Sequence, residues 1–79
     1  MIKVLFFAGL AEKTGQSEVE FDLQDVNIEA LGKKIIAEFP VIENDVKNSM
    51  IAVNEELVDE NTVLKANDTV AFIPPVSGG

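Results

Sequence analysis

Cysteine, histidine, arginine, tryptophan and tyrosine are all absent from this chain of 79 residues. Without cysteine there is neither a disulfide framework nor a thiolate metal site. Without histidine, a serine triad and an imidazole-bound zinc are excluded too. Cationic charge is scarce: six lysines stand against 14 acidic residues, for a formal net charge of -8. Nucleic acid is therefore not the expected partner, because phosphate contacts need clustered lysine or arginine. Anionic membrane surfaces are disfavoured for the same reason. No apolar run approaches the roughly 18 residues of a membrane span, and no charged-then-apolar leader opens the chain. The cytoplasm is the expected location.

What remains is apolar enough to fold. Hydrophobic residues make up 47% of the chain, which suffices for one core and one domain. A domain of this size hides only about 60% of the surface its unfolded chain exposes. The acidic field suits a basic protein partner and would speed their encounter. Solubility alone accounts for it equally well.

Hydrophobic periodicity divides the chain. "IKVLFFA" (Ile2 to Ala8) reads as a strand, and "GLAEKTGQ" as a loop with glycine near both ends. "SEVEFDL" alternates Val19, Phe21 and Leu23 with Glu18, Glu20 and Asp22, the pattern of a half-buried strand. These two strands are expected to form a hairpin. "NIEALGKKIIAEFP" changes period: Ile28, Leu31, Ile35 and Phe39 recur at helical spacing. Asn27 is the expected N-cap, Glu29 suits the positive end of the helix dipole, and Pro40 helps to end the helix. Gly32 lies on the buried stripe, which predicts a close approach of helix to sheet. A third strand, "MIAVN" (Met50 to Asn54), follows a polar stretch. Leu57 and Val58 in "EELV" are expected to pair briefly, and "TVAFI" (Thr69 to Ile73) is the last strand.

The order β-β-α-β-(β)-β is best packed as one helix across one mixed sheet. The fold class is α+β: a β-grasp, or ubiquitin-like, fold with four to five strands and one main helix on one face. A ferredoxin-like fold would need a second helix before the last strand, and "IENDVKN" is too short and polar to supply it. Residues 1–73 form the domain, and 74–79 an extended C-terminal tail. Alternation turns Ile2, Val4, Phe6, Val70 and Phe72 toward the helix. Lys3, Leu5, Phe7, Ala71 and Ile73 then face the other way. Phe7 and Ile73, with Leu57 as a third member, are candidates for an exposed apolar patch of the kind that marks interaction surfaces. Scattered surface hydrophobes are the plain alternative.

No side-chain constellation demands catalysis. Glu55-Glu56 and Asp59-Glu60 read as a solvated face. "DENTVLKANDTV" lacks the glycine and glutamate that a calcium loop requires at its sixth and twelfth positions. The chemistry is sought instead in "PPVSGG". Pro74 and Pro75 set an extended exit direction, and the residues from Pro74 to Gly79 reach roughly 20 Å when extended. Gly78 and Gly79 bring no side chain into a narrow channel and leave the terminal carbonyl uncrowded. The carboxylate of Gly79 is ionised at neutral pH and is a poor electrophile. Another enzyme must activate it, with ATP as the obvious source. A frayed terminus is the bland alternative.

"IKVLFFAGLAEKTG", "IAVNEELV" and above all "DTVAFIPPVSGG" resemble the small subunit of molybdopterin synthase, the MoaD family, over essentially the full length. Ser77 stands where many relatives have threonine, and no arginine is present from which a charged contact could be carried over. The resemblance implies that a MoeB-like adenylating enzyme couples AMP to Gly79 and that a sulfur donor then makes a thiocarboxylate. It further implies that the tail, with Pro74, Pro75, Val76, Ser77 and Gly78, enters a MoaE-like large subunit. There the sulfur attacks cyclic pyranopterin monophosphate to build the dithiolene that holds molybdenum. No cofactor is stably bound on this reading, no metal is ligated, and the assembly is a heterotetramer with the large subunit. Phe7, Leu57 and Ile73 would form the docking patch. Three rivals stay open: a ThiS-like carrier for thiazole synthesis, a modifier that joins Gly79 to lysines of other proteins, and a binding module with an idle tail.

Overall fold

A computed structural model of the chain describes residues 1–74; Pro75, Val76, Ser77, Gly78 and Gly79 lie outside the described residues. The elements are β1 (Ile2–Phe6), α1 (Gly9–Thr14), β2 (Glu18–Phe21), α2 (Ile28–Glu38), a 3-10 turn (Pro40–Ile42), α3 (Glu43–Lys47), β3 (Met50–Val53), β4 (Glu56–Val58) and β5 (Thr69–Ile73). The five strands form one sheet in the order β2-β1-β5-β3-β4. β1 and β5 run parallel at its centre, and the other neighbours are antiparallel. This is the β-grasp arrangement, α+β with a mixed sheet and helices packed on it.

Alternation decides which residues reach the core. Ile2, Val4 and Phe6 of β1, with Val70 and Phe72 of β5, are buried. They meet Ile28, Leu31 and Ile35 of α2 in one hydrophobic cluster. The Phe6 ring meets Phe39 edge-on, with centroids 5.7 Å apart. At the start of α2, Asn27 Oδ1 accepts from the Ala30 amide at 2.8 Å, so the expected N-cap is present. Residues 59–68 link β4 to β5 without a strand, yet main-chain bonds tie them to the start of α2. The Leu64 amide donates to the Val26 carbonyl at 2.7 Å, and the Asp25 amide donates to the Leu64 carbonyl at 2.8 Å. Leu64 itself is fully buried.

Three local expectations are corrected. "GLAEKTGQ" is not a loop throughout: Gly9–Thr14 is helical, with Leu10 buried and Gly15 closing the helix at φ 75°. That left-handed value favours glycine. β1 and β2 therefore pair as expected but are joined through α1 rather than a tight turn. "IENDVKN" does supply a short helix, α3, which Val46 pins to the core. Gly32 does not mark a close approach of α2 to the sheet. A Cβ built there would meet Val46 Cγ1 of α3 at 3.8 Å, an ordinary contact.

Candidate docking face

The helices cover one face of the sheet, and among the described residues no element covers the opposite face. One row of opposed residues crosses every strand on that open side. Glu18 stands opposite Leu5, Leu5 opposite Ala71, Ala71 opposite Ala52, and Ala52 opposite Leu57. One pleat further on, Ile73 stands opposite Met50, and Phe7 follows directly after β1. Two alanines in the middle of the row leave a floor between taller walls. The resulting trough has a volume of about 720 Å³ and is lined mainly by Leu5, Phe7, Ala52, Leu57, Ala71 and Ile73. Phe7 is 46% exposed, Leu57 61% and Ile73 36%, so their apolar surface is open to a partner rather than spent on the core.

Charge frames the trough. Glu55 lines it on the side of the β3–β4 turn. On the β2 side, Lys3 pairs with Glu18 at 3.8 Å, both well exposed. The sheet thus has an apolar half toward β4 and a charged half toward β2. Met50, 54% exposed, extends the apolar half along the same edge. A second groove of about 750 Å³ lies on the helix side, between α2 and β4, with Lys33 and Lys47 as well as Glu29, Asp59 and Glu60 in its lining.

Phe7 and Ile73, singled out from alternation, and Leu57, named as a third member of the patch, all line one trough. Pro74 follows Ile73 and is half-buried. The expectations for Pro75, Val76, Ser77, Gly78 and Gly79 fall outside the described residues. Sequence reasoning missed Ala52 and Met50 as members of the face. The alternation within "MIAVN" held that signal, since Met50 and Ala52 share a side once Ile51 and Val53 turn inward. Among the described residues, no group of three or more acidic side chains is gathered closely enough to hold a metal ion. No helix there is long and apolar enough to cross a membrane.

Comparisons with known proteins bear on this geometry. The family model described as the ThiS family matches residues 4–79. A molybdopterin synthase sulfur carrier subunit from Chlamydomonas reinhardtii is 42% identical over 81 residues, across 99% of this chain and 98% of the relative. The crystal structure of SAMP1, the small archaeal modifier protein 1 of Haloferax volcanii, superposes with a TM-score of 0.87 at 26% identity, covering 99% of this chain and 98% of that one. A chain from the complex of subunits 1 and 2 of molybdopterin-converting factor from Helicobacter pylori superposes with a TM-score of 0.72 at 28% identity, covering 99% of this chain and 97% of that one. On this near end-to-end similarity, the chain belongs to the ThiS family of ubiquitin-like proteins and, within it, to the molybdopterin synthase small-subunit, or MoaD, family.

Proposed function

We propose that this chain is the sulfur carrier of a molybdopterin synthase and that its working group is the carboxyl of Gly79. One observation carries the reading: the near full-length match to molybdopterin synthase sulfur carrier subunits, within a family model that runs through Gly79. The chemistry follows from the group. A MoeB-like enzyme joins the Gly79 carboxylate to AMP and releases pyrophosphate from ATP. Sulfur delivered at the sulfide level by a donor attacks the acyl carbonyl, AMP leaves, and a thiocarboxylate remains. That sulfur is a soft, readily ionised nucleophile, which suits a carrier without cysteine. In a MoaE-like large subunit it attacks cyclic pyranopterin monophosphate, displacing an oxygen substituent and forming a thioester between carrier and substrate. Water then cleaves the acyl–sulfur bond, so the sulfur stays on the pterin and the carrier returns as the carboxylate. The carrier binds no cofactor of its own; ATP belongs to the activating enzyme.

The trough of Phe7, Leu57 and Ile73 is the surface this reading assigns to docking. Its Ala71 and Ile73 lie on the strand that leads into Pro74, so a partner seated there would receive the following residues. The complex of two subunits of molybdopterin-converting factor from Helicobacter pylori supports a large-subunit partner, and a heterotetramer is the assembly expected. The test is intact mass before and after incubation with ATP, the activating enzyme and a sulfur donor. The expected change is one oxygen replaced by sulfur, localised to Gly79. An unchanged mass with a demonstrably active enzyme would overturn the proposal.

A second reading has its own support in the likeness to SAMP1. A modifier would use the same adenylate, but a lysine amine of another protein would attack it. Lysates would then contain the chain covalently joined to larger proteins through Gly79. A thiazole-pathway carrier is less favoured, because the Chlamydomonas relative bears the molybdopterin synthase name.

A further inference from the structure

Ala8 joins β1 to α1 with φ 48° and ψ -124°. A type II′ turn asks for that geometry at its first central position, where glycine is the usual residue. The Leu10 amide donates to the Phe7 carbonyl at 3.0 Å across the turn, and the Glu12 amide donates to the Ala8 carbonyl at 3.2 Å. Glycine stands one place later, at Gly9, whose φ is not in the left-handed region and whose missing Cβ would meet nothing within 4 Å. Neither backbone nor space requires glycine at position 9, while the backbone at position 8 favours it and alanine stands there. Local physics alone would favour the reverse order.

The turn is held from both ends. Phe6 is buried against Phe39, and Leu10 is fully buried. The Thr14 hydroxyl donates to the Leu10 carbonyl at 2.8 Å, and Lys13 Nζ reaches Asp45 of α3 at 2.8 Å. Phe7 lies between these anchors and is exposed at the trough. With the ends fixed, the Cβ of residue 8 decides how far φ and ψ can wander inside the closed turn. Glycine would occupy a broad basin there, whereas L-alanine is confined to a narrow and unfavourable one.

We infer that Ala8 is a positioning residue: confined to a glycine-type conformation by two buried anchors, it narrows the direction in which Phe7 projects from the docking face. The inference rests on the proposed docking role of that face. It gives up some stability in return for a better-defined contact residue, as strained backbone at binding sites commonly does.

The test compares the unaltered chain with Ala8→Gly, with a synthetic chain carrying D-alanine at position 8, and with Phe7→Ala. Ala8→Gly relieves the strain but widens the basin. It should raise Tm by about 5 °C, on the scale usual for a domain of this length. It should also lower 15N backbone order parameters at residues 7–9 and weaken binding to the large synthase subunit about 3- to 10-fold, the effect of one side chain left to be ordered on binding. D-Alanine relieves the strain and keeps the basin narrow. It should raise Tm at least as much while order parameters and affinity stay within twofold of the unaltered chain. The inference is overturned if Ala8→Gly lowers Tm, if it leaves order parameters or affinity unchanged, or if D-alanine loses as much affinity as glycine does. Phe7→Ala separates the two claims. Undiminished binding by Phe7→Ala sinks the docking face. Lost binding by Phe7→Ala with flat order parameters in Ala8→Gly sinks the role of Ala8 alone.

Discussion

Ala8 is one of several residues without a glycine's freedom at positive φ, and the costs differ from site to site. Strain of that kind costs about 1–3 kcal/mol per residue. Asn54 and Glu55, at φ 50° and 72°, are the two central residues of the β3–β4 turn. A two-residue hairpin loop of this sort favours Asn-Gly, because its backbone twist needs positive φ at both places. The chain has Asn-Glu at these places, so the usual sequence mark of this turn type is missing. Glu55→Gly should therefore stabilise the protein by about 0.5–1 kcal/mol, the relief exceeding the entropy glycine adds to the unfolded chain. A higher urea midpoint at unchanged slope is the expected record. Asn54 offers no such gain. Its Nδ2 donates to Asp68 Oδ1 at 3.0 Å, and its Oδ1 accepts from the Thr69 amide at 3.0 Å, tying the hairpin to the start of β5.

Elements differ in how openly the sequence declares them, and the difference follows length and context. α2 has 11 residues, its own cap and a clear apolar stripe, so Asn27, Ile28, Leu31 and Ile35 were legible. β5 was legible to its ends, Thr69–Ile73, because Val70 and Phe72 alternate with neighbours that face outward. α1 and α3, of six and five residues, were not. Helices that short do not persist alone in water, since nucleation costs more than one turn of hydrogen bonds returns. They form because Leu10 and Val46 are buried, and burial is a property of the whole fold. Leu10→Ala should accordingly cost about 2–5 kcal/mol, the usual range for truncating a fully buried leucine, and should melt α1 first in hydrogen exchange. Gly32→Ala tests the corrected packing of α2. Because a Cβ there meets Val46 at an ordinary 3.8 Å, helix propensity decides the sign. The variant should gain about 0.5–1 kcal/mol in chemical denaturation. A glycine needed for close helix–sheet approach would instead be destabilised by the extra methyl.

At the scale of the molecule, the sheet has one face spent on the core and one left open among the described residues, and Pro74 follows β5, a strand that contributes to both. The open face was legible in outline from Phe7, Leu57 and Ile73, because pleating obliges residues next to buried ones to point away. Its trough shape was not, since it depends on Ala52 standing opposite Ala71, a register that alternation within single strands does not determine. Leu57→Asp should separate docking from folding. The side chain is largely exposed, so Tm should move by no more than about 4 °C, the equivalent of a small surface effect in a domain this size. Binding to the large subunit should weaken at least about tenfold, because a charge placed against an apolar contact is left desolvated and unpaired. The field of the whole chain acts on a different quantity. With a net charge of -8, encounter with a basic partner face is accelerated at long range. Raising ionic strength from about 0.01 M to 0.15 M shortens the screening length from roughly 30 Å to 8 Å. The association rate should fall by about tenfold or more over that range while the dissociation rate barely changes. Stopped-flow kinetics of the unaltered chain and of Leu57→Asp would show the division. Salt should slow association of both to a similar degree, because one added charge changes the net charge of -8 little, whereas the substitution should act chiefly on dissociation. A variant whose defect disappeared at high salt would instead mean that charge, and not the apolar trough, holds the complex together.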